Sequence, residues 1–372
     1  MKFSRQLWNP IMPEVIVAGH ICLDLIPEFK GEFRLEPNQL TSLGKMSFTT
    51  GGAVANVGLA LNKLGVDVTL LAKVGDDLFA KTLINTLEEN APKSSQAIIV
   101  SKSDSTSYSI VISPPDFDRH FLHHEGANNS FRPNDIDLKV VKDAKLFYFG
   151  YPPLMQQIFQ DGGVAFAELL KNIKALGITT AMDLSFPDPN SPAGQVDWLK
   201  FLELVLPYTD IFLPSLAEIN YMLYSDKSQT TKPELPSTAI KTSQLLLDMG
   251  VALAGIKLGS DGLFLQTASS SRLEEMGKAK PKDIENWSNR KFWSHNYEVE
   301  VKNTVGAGDA TYSGFLAALL KGLSLEDSMA VASAVGACSV EGNDANSAVL
   351  SWYETINRIN KGWASSKPNS KS

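Results

Sequence analysis

Residues 303–310 read Asn-Thr-Val-Gly-Ala-Gly-Asp-Ala, and this stretch is the most informative part of the sequence for the fold. A strand-like alternation at residues 297–301 precedes it, and an apolar helical run at residues 315–320 follows it. Backbone N–H groups at a helix start have no intrahelical acceptors, and the helix dipole favours negative charge there. Gly306 and Gly308 let the main chain approach an anion closely. The stretch therefore predicts an anion-binding turn between a strand and a helix.

Asp309 is the group in this turn that can accept a proton. A base inside an anion-binding turn suits phosphoryl transfer to a hydroxyl group, where positioning and charge stabilisation do most of the work. The alternative is a tight turn in which Asp309 caps the helix. The stretch is not a Walker loop, because no Lys-Ser/Thr follows a Gly-x4-Gly, and Thr311 stands where a dinucleotide fingerprint needs its third glycine.

A second glycine motif lies far upstream, where residues 51–58 read Gly-Gly-Ala-Val-Ala-Asn-Val-Gly between a β-like run and a helix. Residues 14–19 predict a buried first strand, and Asp24 follows just past its end. A carboxylate at the carboxyl edge of a parallel strand is where α/β proteins bind ligands. Further along, Asp76 and Asp77 are expected to cap a helix.

These residues together resemble the ribokinase family, also called the PfkB carbohydrate kinases, over residues 14 to 361. Residues 51–56 with 73–77 match its first signature, and residues 304–309 match its second. Residues 256–262, Ile-Lys-Leu-Gly-Ser-Asp-Gly, resemble its nucleotide-side strand and turn. Residues 213–218 resemble its Asn-x-x-Glu motif, and residues 126–128, Gly-Ala-Asn, resemble the segment that returns from the lid to the sugar pocket.

The resemblance implies a role for each matching residue. Asp309 would be the general base, Glu218 would organise Mg²⁺ through water, and Lys257 would contact the nucleotide unless it is a snorkelling surface lysine. Arg119, on the lid, would contact the substrate unless it is a solvated lid residue. The remaining implied roles are the anion hole (Gly306, Ala307, Gly308), sugar binding (Asp24, Gly51, Gly52, Asn56, Asn128) and nucleotide binding (Ser215, Glu218, Gly259, Gly262).

Three departures from the family pattern affect these expectations. Ser215 stands where the family usually has Asn, so the side chain reaches less far. Asn303 stands where the family usually has Asp beside a monovalent cation, so we expect weak activation by potassium. The Asp-x-Asn-x-Arg segment of many members reads Asp-Leu-Ser-Phe-Pro at residues 183–187, and its Arg is replaced by Pro187.

The predicted fold class is α/β, a ribokinase-like doubly wound and mostly parallel sheet with a small β-sheet lid. One kinase domain is expected at residues 12–361, with lid segments at about 27–50 and 106–128 and a disordered tail at 362–372. The alternative for the lid segments is two ordinary surface hairpins. In the family the lid often forms the dimer contact, so the resemblance allows a homodimer through the lid. Residues 272–295 form a polar insertion without an assigned role.

Composition restricts the partners and the location. The chain has 372 residues, a net charge of −7 and a pI of about 5.4, which argues against a nucleic-acid partner. Cys22 and Cys338 lie in apolar contexts far apart, as expected of buried reduced thiols. The first residues lack an apolar signal core and no apolar run is long enough for a bilayer, so we expect a cytoplasmic protein without a membrane partner.

The leading functional hypothesis is an ATP-dependent and Mg²⁺-dependent kinase, a phosphotransferase that phosphorylates a hydroxyl group of a small sugar substrate. A nucleoside kinase, such as an adenosine-like kinase, shares the same fold and remains an alternative. A non-catalytic sugar-binding regulator on this fold is the alternative outside enzymes. The presence of Asp309 with both glycines of the anion hole favours catalysis.

Overall fold

The computed structural model describes residues 13–31, 33, 36–114, 120–224 and 235–365. Arg119 therefore lies outside the described residues, as do most of the β-like residues 32–35 and the end of the tail. The predicted disorder from residue 362 does not extend over the described part of that segment. Trp363 stacks on Tyr297 with ring centroids 4.6 Å apart, and its indole N–H donates to the carbonyl of Glu298.

The strands form in short apolar runs bounded by glycine, proline and polar residues, as β propensity requires. In chain order they are β1 (Val15–Gly19), β2 (Cys22–Phe29), β3 (Leu43–Gly51), β4 (Val68–Leu71), β5 (Lys73–Gly75), β6 (Ile99–Ser101), β7 (Tyr108–Ile112), β8 (His120–His124), β9 (Leu146–Gly150), β10 (Thr179–Asp183), β11 (Ile211–Phe212), β12 (Leu253–Lys257), β13 (Leu263–Thr267) and β14 (Lys291–Ser294).

The helices follow the strands in the alternation that the sequence predicts. They are α1 (Ala53–Lys63), α2 (Leu78–Asn90), α3 (Leu138–Val141), α4 (Gln156–Phe159), α5 (Val164–Ala175), α6 (Trp198–Val205), α7 (Leu216–Tyr224), α8 (Leu235–Asp248), α9 (Ser270–Glu274), α10 (Ile284–Trp287), α11 (Ala307–Leu320), α12 (Leu325–Ser339) and α13 (Trp352–Asn360). Among the described residues, every helix is too short or too polar to cross a bilayer. Asp77 accepts a hydrogen bond from the Ala80 N–H and caps α2, which confirms its predicted role.

The main sheet has the strand order β14-β13-β12-β11-β10-β9-β1-β4. All pairs from β4 to β12 are parallel, whereas β13 and β14 pair antiparallel at one edge. The carboxyl ends of the parallel strands therefore meet along one edge of the sheet, where an open α/β sheet binds its ligands.

Two hydrophobic cores cover the two faces of this sheet. Successive side chains of a strand point to opposite faces, so β1 contributes Val15 and Val17 to one core and Ile16 and Ala18 to the other. The first core includes residues of α1, α11 and α12, and the second includes residues of α5, α6, α7 and α8. A strand buried on both faces must be apolar throughout, which explains why residues 15–19 show no alternation.

A second sheet, the lid sheet, consists of the strands β3-β2-β7-β8. The pairs β2–β3 and β7–β8 are antiparallel, and β2 and β7 pair parallel. The two segments suspected of forming a lid therefore contribute to one sheet and are not separate hairpins. Their joining matters because β2 leaves the end of β1 and β3 runs into α1, so the lid sheet is attached directly to the carboxyl edge of the main sheet.

The chain just before the decisive stretch differs from the expectation. Residues 297–301 form no strand and make one isolated bridge, from Tyr297 to Ser365, while Val301 is 58% exposed. Alternation alone predicted a strand there, but within the described part of the chain the segment pairs only through this bridge. The last strand is β14, inside the insertion at 272–295, where Trp293 packs against Phe264. The insertion thus completes the antiparallel edge of the main sheet.

Candidate active site

Asp309 lies in the first turn of α11, shortly after the glycine that precedes this helix. Gly306 has a φ of 74°, in the left-handed region that favours glycine. A Cβ atom on Gly306 would lie 2.3 Å from the Cβ atom of Ala345, so a larger residue would clash. Glycine therefore shapes the turn, and Asp309 enters the helix with only 2% of its surface exposed.

Two sources of positive charge lie beside Asp309. The first N–H groups of α11, including those of Ala307 and Gly308, belong to a helix N-terminus, which attracts anions. A Cβ atom on Gly308 would lie 3.2 Å from the Nζ atom of Lys257, so glycine leaves the ammonium group close to the helix start. A helix N-terminus next to an ammonium group is a suitable site for a phosphoryl group.

Two side chains donate hydrogen bonds to the carboxylate of Asp309. The hydroxyl oxygen of Tyr151 lies 2.8 Å from both carboxylate oxygens, and Asn56 Nδ2 lies 2.9 Å from Oδ2. Burial raises the pKa of Asp309, while the charge of Lys257 and the hydrogen bonds from Asn56 and Tyr151 oppose that rise. The carboxylate is thus fixed in orientation, and its pKa is raised above the ordinary value for an aspartate.

Tyr151 is a site residue that the sequence did not predict. It follows β9 directly and adopts a φ of 66°, which is uncommon for a residue other than glycine. Its backbone N–H donates to the carbonyl of Asp183 at the end of β10. Residues in this conformation cluster at functional sites. The available signal was the position of Tyr151 just past an apolar strand, at the ligand-binding edge of the sheet.

Lys257 ends β12 and lies beside Asp309 with 12% of its side chain exposed. Its Nζ atom lies 2.6 Å from Oδ2 of Asp183, whose side chain is fully buried. Burial raises the pKa of Asp183 to about 7 against the opposing charge of Lys257, and the charges of Glu218 and Asp309 raise it further. Burial alone would lower the pKa of Lys257, but Asp183, Glu218 and Asp309 raise it above its ordinary value. The interpretation of Lys257 as a snorkelling surface lysine is therefore wrong.

Ser215 and Glu218 form a reciprocal pair at the start of α7. The backbone N–H of Ser215 donates to Glu218 Oε2 at 2.8 Å, and the backbone N–H of Glu218 donates to Ser215 Oγ at 3.3 Å. This is the hydrogen-bond pattern of a capping box. An isolated parallel bridge joins Ser215 to Lys257, so the pair lies at the same sheet edge as the lysine.

Gly259 and Gly262 form the turn from β12 to β13. Their φ values are 59° and 96°, so both occupy the left-handed region. A Cβ atom on Gly262 would lie 2.1 Å from the carbonyl oxygen of Ser294, whereas one on Gly259 would meet no atom within 4 Å. The turn therefore presents bare backbone next to Lys257.

Asp24 lies on β2, on the face of the lid sheet that faces the main sheet edge. A Cβ atom on Gly51 would lie 2.3 Å from Asp24 Oδ2, so only glycine leaves room for the carboxylate. Gly52 has a φ of 84° and packs against the main chain of His20. Burial raises the pKa of Asp24 to about 6, opposed by hydrogen bonds from Cys22 and Ser109. The paired glycines thus bring the chain against Asp24 and against His20.

A chain of polar contacts continues from Asp24 across the lid sheet. The Cys22 thiol donates to Asp24 Oδ1 at 3.4 Å and lies 3.9 Å from Ser109 Oγ. Ser109 Oγ lies 3.0 Å from Nδ1 of His123, and the Nε2 atoms of His123 and His20 are 3.4 Å apart. Burial lowers the pKa of both imidazoles, and the neighbouring His123 lowers that of His20 further. Both rings are therefore neutral near pH 7 and can donate and accept hydrogen bonds.

One large cavity extends from Asp24, His20 and His123 to Asp309. Its volume is about 850 Å³, within the range of roughly 300–1,000 Å³ typical of small-molecule sites. Asp24, Gly52, Asn56, Gly306 and Asp309 all line it. Buried polar atoms with no hydrogen-bond partner among the described residues occur on three of the lining residues, namely His20 Nδ1, Asn56 Oδ1 and Ser185 Oγ. Such atoms are expected to pair with a polar ligand or water, because an unpaired buried polar atom costs free energy.

Asn128 does not belong to this cavity, contrary to the expectation. It is fully buried, and its amide donates to the carbonyl of Ile21 at 2.9 Å and accepts from the N–H of Ile21 at 3.2 Å. Both ends of the amide are therefore used to hold the segment after β8 against the chain between β1 and β2. The neighbouring Asn129 lines the cavity instead.

A sequence model of the pfkB family of carbohydrate kinases matches residues 12–352, nearly the whole chain. The chain belongs to the pfkB family of carbohydrate kinases. Its sugar kinases are phosphotransferases that use a hydroxyl group as acceptor. The predicted family and the predicted ribokinase-like α/β fold are both confirmed.

Relatives and structures of this family resemble the chain at low identity. The 5-dehydro-2-deoxygluconokinase of Shouchella clausii (strain KSM-K16) is 22% identical over 90% of this chain and 92% of its own length. Probable fructokinase-5 of Arabidopsis thaliana is 24% identical over 58% of this chain, which spans 63% of that relative. The fructokinase of Xylella fastidiosa with bound ATP has a TM-score of 0.72 at 19% identity, covering 94% of this chain and 99% of that one. An Escherichia coli structure with ATP and Mg²⁺ has a TM-score of 0.70 at 21% identity, with coverages of 94% and 99%.

Both ends of the Asn303 side-chain amide form hydrogen bonds in this pfkB-family chain. Its amide Nδ2 donates to the carbonyl of Asn343 at 2.6 Å, and its Oδ1 accepts from the N–H of Val305 at 2.7 Å. Asn303 thus connects the turn before α11 to the loop after α12. The amide of Asn303 therefore uses the carbonyl oxygen of Asn343 as a hydrogen-bond acceptor.

Replacing Tyr151 by Phe removes both hydrogen bonds to Asp309. Hydrogen bonds to charged groups contribute roughly 1.5–3 kcal/mol, so we expect kcat to fall by about 10- to 100-fold. Because the Tyr151 hydroxyl lowers the pKa of Asp309, the acid limb of the pH–rate profile should move to higher pH. Steady-state kinetics from pH 5 to 9 measure both effects.

Tyr148→Phe is the matched control, because the Tyr148 hydroxyl is buried and has no partner among the described residues. It should leave kcat and the pH–rate profile nearly unchanged. An equal loss in the two variants would mean that Tyr151 acts through packing and not through its hydrogen bonds.

Proposed function

We propose that this protein transfers the γ-phosphoryl group of ATP to a hydroxyl group of a small sugar, with Asp309 as general base. The observation that carries the proposal is the position of Asp309. Its buried carboxylate lines the large cavity on one side and lies next to the helix N-terminus and Lys257 on the other. A proton acceptor between a polyol-sized cavity and an anion-binding turn is the arrangement that phosphoryl transfer requires.

We assign the two substrates to two separate groups of residues. Asp24, Gly51, Gly52 and Asn56 lie at the cavity or next to it, and we assign them to the sugar. None of the residues assigned to the nucleotide lines this cavity; these are Ser215, Glu218, Lys257, Gly259 and Gly262. The two groups of residues meet at residues 306–309. A hydroxyl group bound in the cavity would therefore face a phosphoryl group held at the anion hole of Gly306, Ala307 and Gly308.

The protein's own groups then account for the proton and the charge. Asp24 and the neutral imidazole of His20 hold sugar hydroxyl groups and orient the reacting one towards Asp309. Asp309, kept in place by Tyr151 and Asn56, removes the proton from that hydroxyl group. The first N–H groups of α11 and the ammonium group of Lys257 stabilise the phosphoryl oxygens. The lid sheet excludes water, which would otherwise hydrolyse ATP.

The residues present are compatible with ATP and Mg²⁺. The described residues include no group of three or more His, Cys, Asp and Glu side chains arranged around a metal ion. Mg²⁺ usually keeps several waters and binds through one or two carboxylates plus substrate phosphates, so Glu218 suffices as an indirect ligand. When bound, Mg²⁺ neutralises phosphate charge. This additional positive charge is needed because three carboxylates, those of Asp183, Glu218 and Asp309, lie around the ammonium group of Lys257.

Asp309→Asn tests the general base. The amide cannot accept the proton, so we expect a loss of roughly 10²–10⁴ in kcat with sugar and ATP affinities little changed. ADP release measures turnover, and calorimetry measures binding. Asp143→Asn, at an exposed position, is the control and should keep full activity. Turnover of Asp309→Asn within a few-fold of the parent would remove Asp309 from the role of base.

Asp24 should make sugar binding depend on pH. The pKa of Asp24 is raised to about 6, and only the ionised carboxylate accepts hydrogen bonds from two hydroxyl groups. Sugar affinity should therefore increase as the pH rises through about 6 and level off about one pH unit above it. Asp24→Ala should weaken sugar binding by roughly 10- to 100-fold, since hydrogen bonds to charged groups contribute about 1.5–3 kcal/mol, and should leave ATP binding unchanged.

The same pKa gives a second readout on stability. An acid whose pKa is higher in the folded state binds more protons there, so its contribution to the free energy of unfolding decreases as the pH rises from 4 to 6. In Asp24→Asn this pH dependence of stability should disappear. Because the buried charge of the parent is removed, the variant should unfold at a higher temperature than the parent at pH 8. It should also bind sugar more weakly. Equal losses of sugar and ATP affinity would show that Asp24 is structural.

Potassium should stimulate the parent protein little, because the amide of Asn303 already connects Asn343 to Val305. Asn303→Asp restores a negative charge beside the carbonyl of Asn343 and should increase the stimulation. The measurement is kcat in potassium against a large organic cation at equal ionic strength. Strong potassium dependence of the parent would show that backbone carbonyls alone suffice.

We also propose that two copies of the chain associate through the lid sheet. Its outer face carries a row of apolar side chains across all four strands, in which Leu25 is paired with Phe48 and Ile110, and Ile110 with Leu122. Phe48 is 52% exposed and Leu122 is 47% exposed. Exposed apolar residues aligned in one row indicate a protein contact surface.

Analytical ultracentrifugation tests this association. The parent should sediment as a dimer, and Phe48→Glu should sediment as a monomer, because a charge in the centre of an apolar contact is costly. Val164→Glu, on α5, is the control: Val164 is 57% exposed but lies outside the lid sheet. A parent that remains monomeric at high concentration would contradict the proposal.

A further inference from the structure

The turn from β12 to β13, which we assign to the nucleotide, is held by side chains from β14 and from the chain just after it. The indole N–H of Trp293 donates to the carbonyl of Asp261 at 2.9 Å, and Asn296 Nδ2 donates to the carbonyl of Gly259 at 2.7 Å. Gly259 itself is exposed, and a Cβ atom on it would meet no atom within 4 Å. The turn is therefore fixed from one side and open on the other.

Two short segments of the chain pair with each other beside this turn. They are residues 296–298 and residues 363–365, and we call them the clamp. An isolated antiparallel bridge joins Tyr297 to Ser365, and the backbone N–H of Glu298 donates to the carbonyl of Ala364 at 2.9 Å. Asn296 directly precedes the bridged residue. The clamp therefore fixes the backbone that carries the Asn296 amide.

Trp363 connects the clamp to the helices behind it. Its ring stacks on Tyr297 with centroids 4.6 Å apart, and its indole N–H donates to the carbonyl of Glu298 at 2.9 Å. The guanidinium carbon of Arg358, on α13, lies 3.6 Å from the centroid of the same ring. Arg358 in turn forms a bidentate pair with Glu341, in the loop after α12, at 2.6 and 2.9 Å. One tryptophan thus joins both segments of the clamp to α12 and α13.

The contacts of the clamp restrict the nucleotide turn more than they support the fold. Tyr297 and Trp363 lie outside the two hydrophobic cores, so their loss removes little core packing. Gly259 and Gly262 give the turn conformational freedom, which a ligand bound there would have to remove. A turn that is already held in one conformation loses less entropy when the ligand binds, and the ligand binds more tightly.

We propose that Trp363 and Asn296 are positioning residues for the nucleotide, through which the clamp sets the affinity for ATP. This inference rests on the nucleotide-binding role proposed above for Gly259 and Gly262. Trp363 fixes the backbone of the clamp, the Asn296 amide holds the carbonyl of Gly259, and the turn receives the nucleotide in one conformation. The polar insertion contributes through Trp293, which holds the other end of the turn.

Steady-state kinetics of the full chain test the proposal, with ribose or fructose as acceptor, whichever the parent phosphorylates faster. Trp363→Ala and Asn296→Ala should each raise the KM for ATP by about 10-fold, because ATP must then order the turn. The KM for the sugar and kcat should change by less than about twofold. Trp363→Phe keeps the stacked ring and loses the N–H donor, so it should raise the KM for ATP by only about threefold.

A double variant and a matched control locate the effect. Because Trp363 acts through Asn296, the double alanine variant should raise the KM for ATP by about 10-fold and not by the roughly 100-fold of independent sites. Trp352→Ala is the control: Trp352 also lies on α13 with an ammonium group over its ring, Lys321 Nζ at 4.9 Å, but has no part in the clamp. It should leave the KM for ATP unchanged. Thermal unfolding verifies that each variant folds, and Asn296→Ala carries the test should Trp363→Ala unfold.

Calorimetry with a nonhydrolysable ATP analogue and Mg²⁺ separates this inference from the proposed function. An unchanged KM for ATP in Trp363→Ala, equal rises in the KM for ATP and for sugar, or additive effects in the double variant would overturn the inference and leave the kinase function intact. Absence of turnover, together with weaker binding of the analogue to both single alanine variants, would support the clamp and overturn the kinase function. A parent that does not bind the analogue would overturn both.

Discussion

The burial of one carboxylate sets the main constraint on this structure. Asp309 has almost no contact with solvent, and a buried carboxylate is costly unless hydrogen bonds and positive charge compensate. The compensating groups come from three separate elements: Asn56 from α1, Tyr151 from the end of β9 and Lys257 from the end of β12. A doubly wound sheet brings these elements together, because the carboxyl ends of its parallel strands converge on one edge. The fold and the site are therefore parts of one arrangement.

Negative charges exceed positive charges at the carboxyl edge of the main sheet, and this excess suits the proposed chemistry. Three carboxylates, on Asp183, Glu218 and Asp309, act on the single ammonium group of Lys257, and burial with mutual repulsion raises the pKa of Asp183 and Asp309. A site with an excess of carboxylates accepts polyphosphate only with additional positive charge. The helix N-terminus of α11 supplies part of it, and a metal ion supplies the rest in this class of reaction. The raised pKa of Asp309 and the Mg²⁺ that we propose for this site thus have a common cause.

The sequence predicted the parts of this arrangement that depend on local chain geometry. The glycine turns at residues 51–52 and 306–308 precede helices, Asp77 caps a helix, and an apolar run without alternation forms the central strand β1. Each of these properties is readable within a few residues. Contacts between distant segments were not predictable in this way. Nothing local shows that Tyr151 bonds to Asp309, or that the amide of Asn128 is consumed by Ile21. The prediction of a strand at residues 297–301 was wrong for the same reason, because a strand needs a neighbouring strand to pair with in addition to alternating side chains.

Successive side chains along each strand of the lid sheet point to opposite faces, so one face lines the cavity and the other carries the apolar row. On β7, Ser109 faces the cavity and contacts His123, whereas the next residue, Ile110, joins the apolar row on the outer face. On β2, Asp24 faces the cavity and Leu25 joins the apolar row on the outer face. A shift of the strand register by one residue would bring apolar side chains to the cavity and Asp24 to the outer surface. The register of the lid sheet is therefore under constraint from both faces, and the contact that we propose between two lids would hold in place the same strands that position Asp24 and His123 at the cavity.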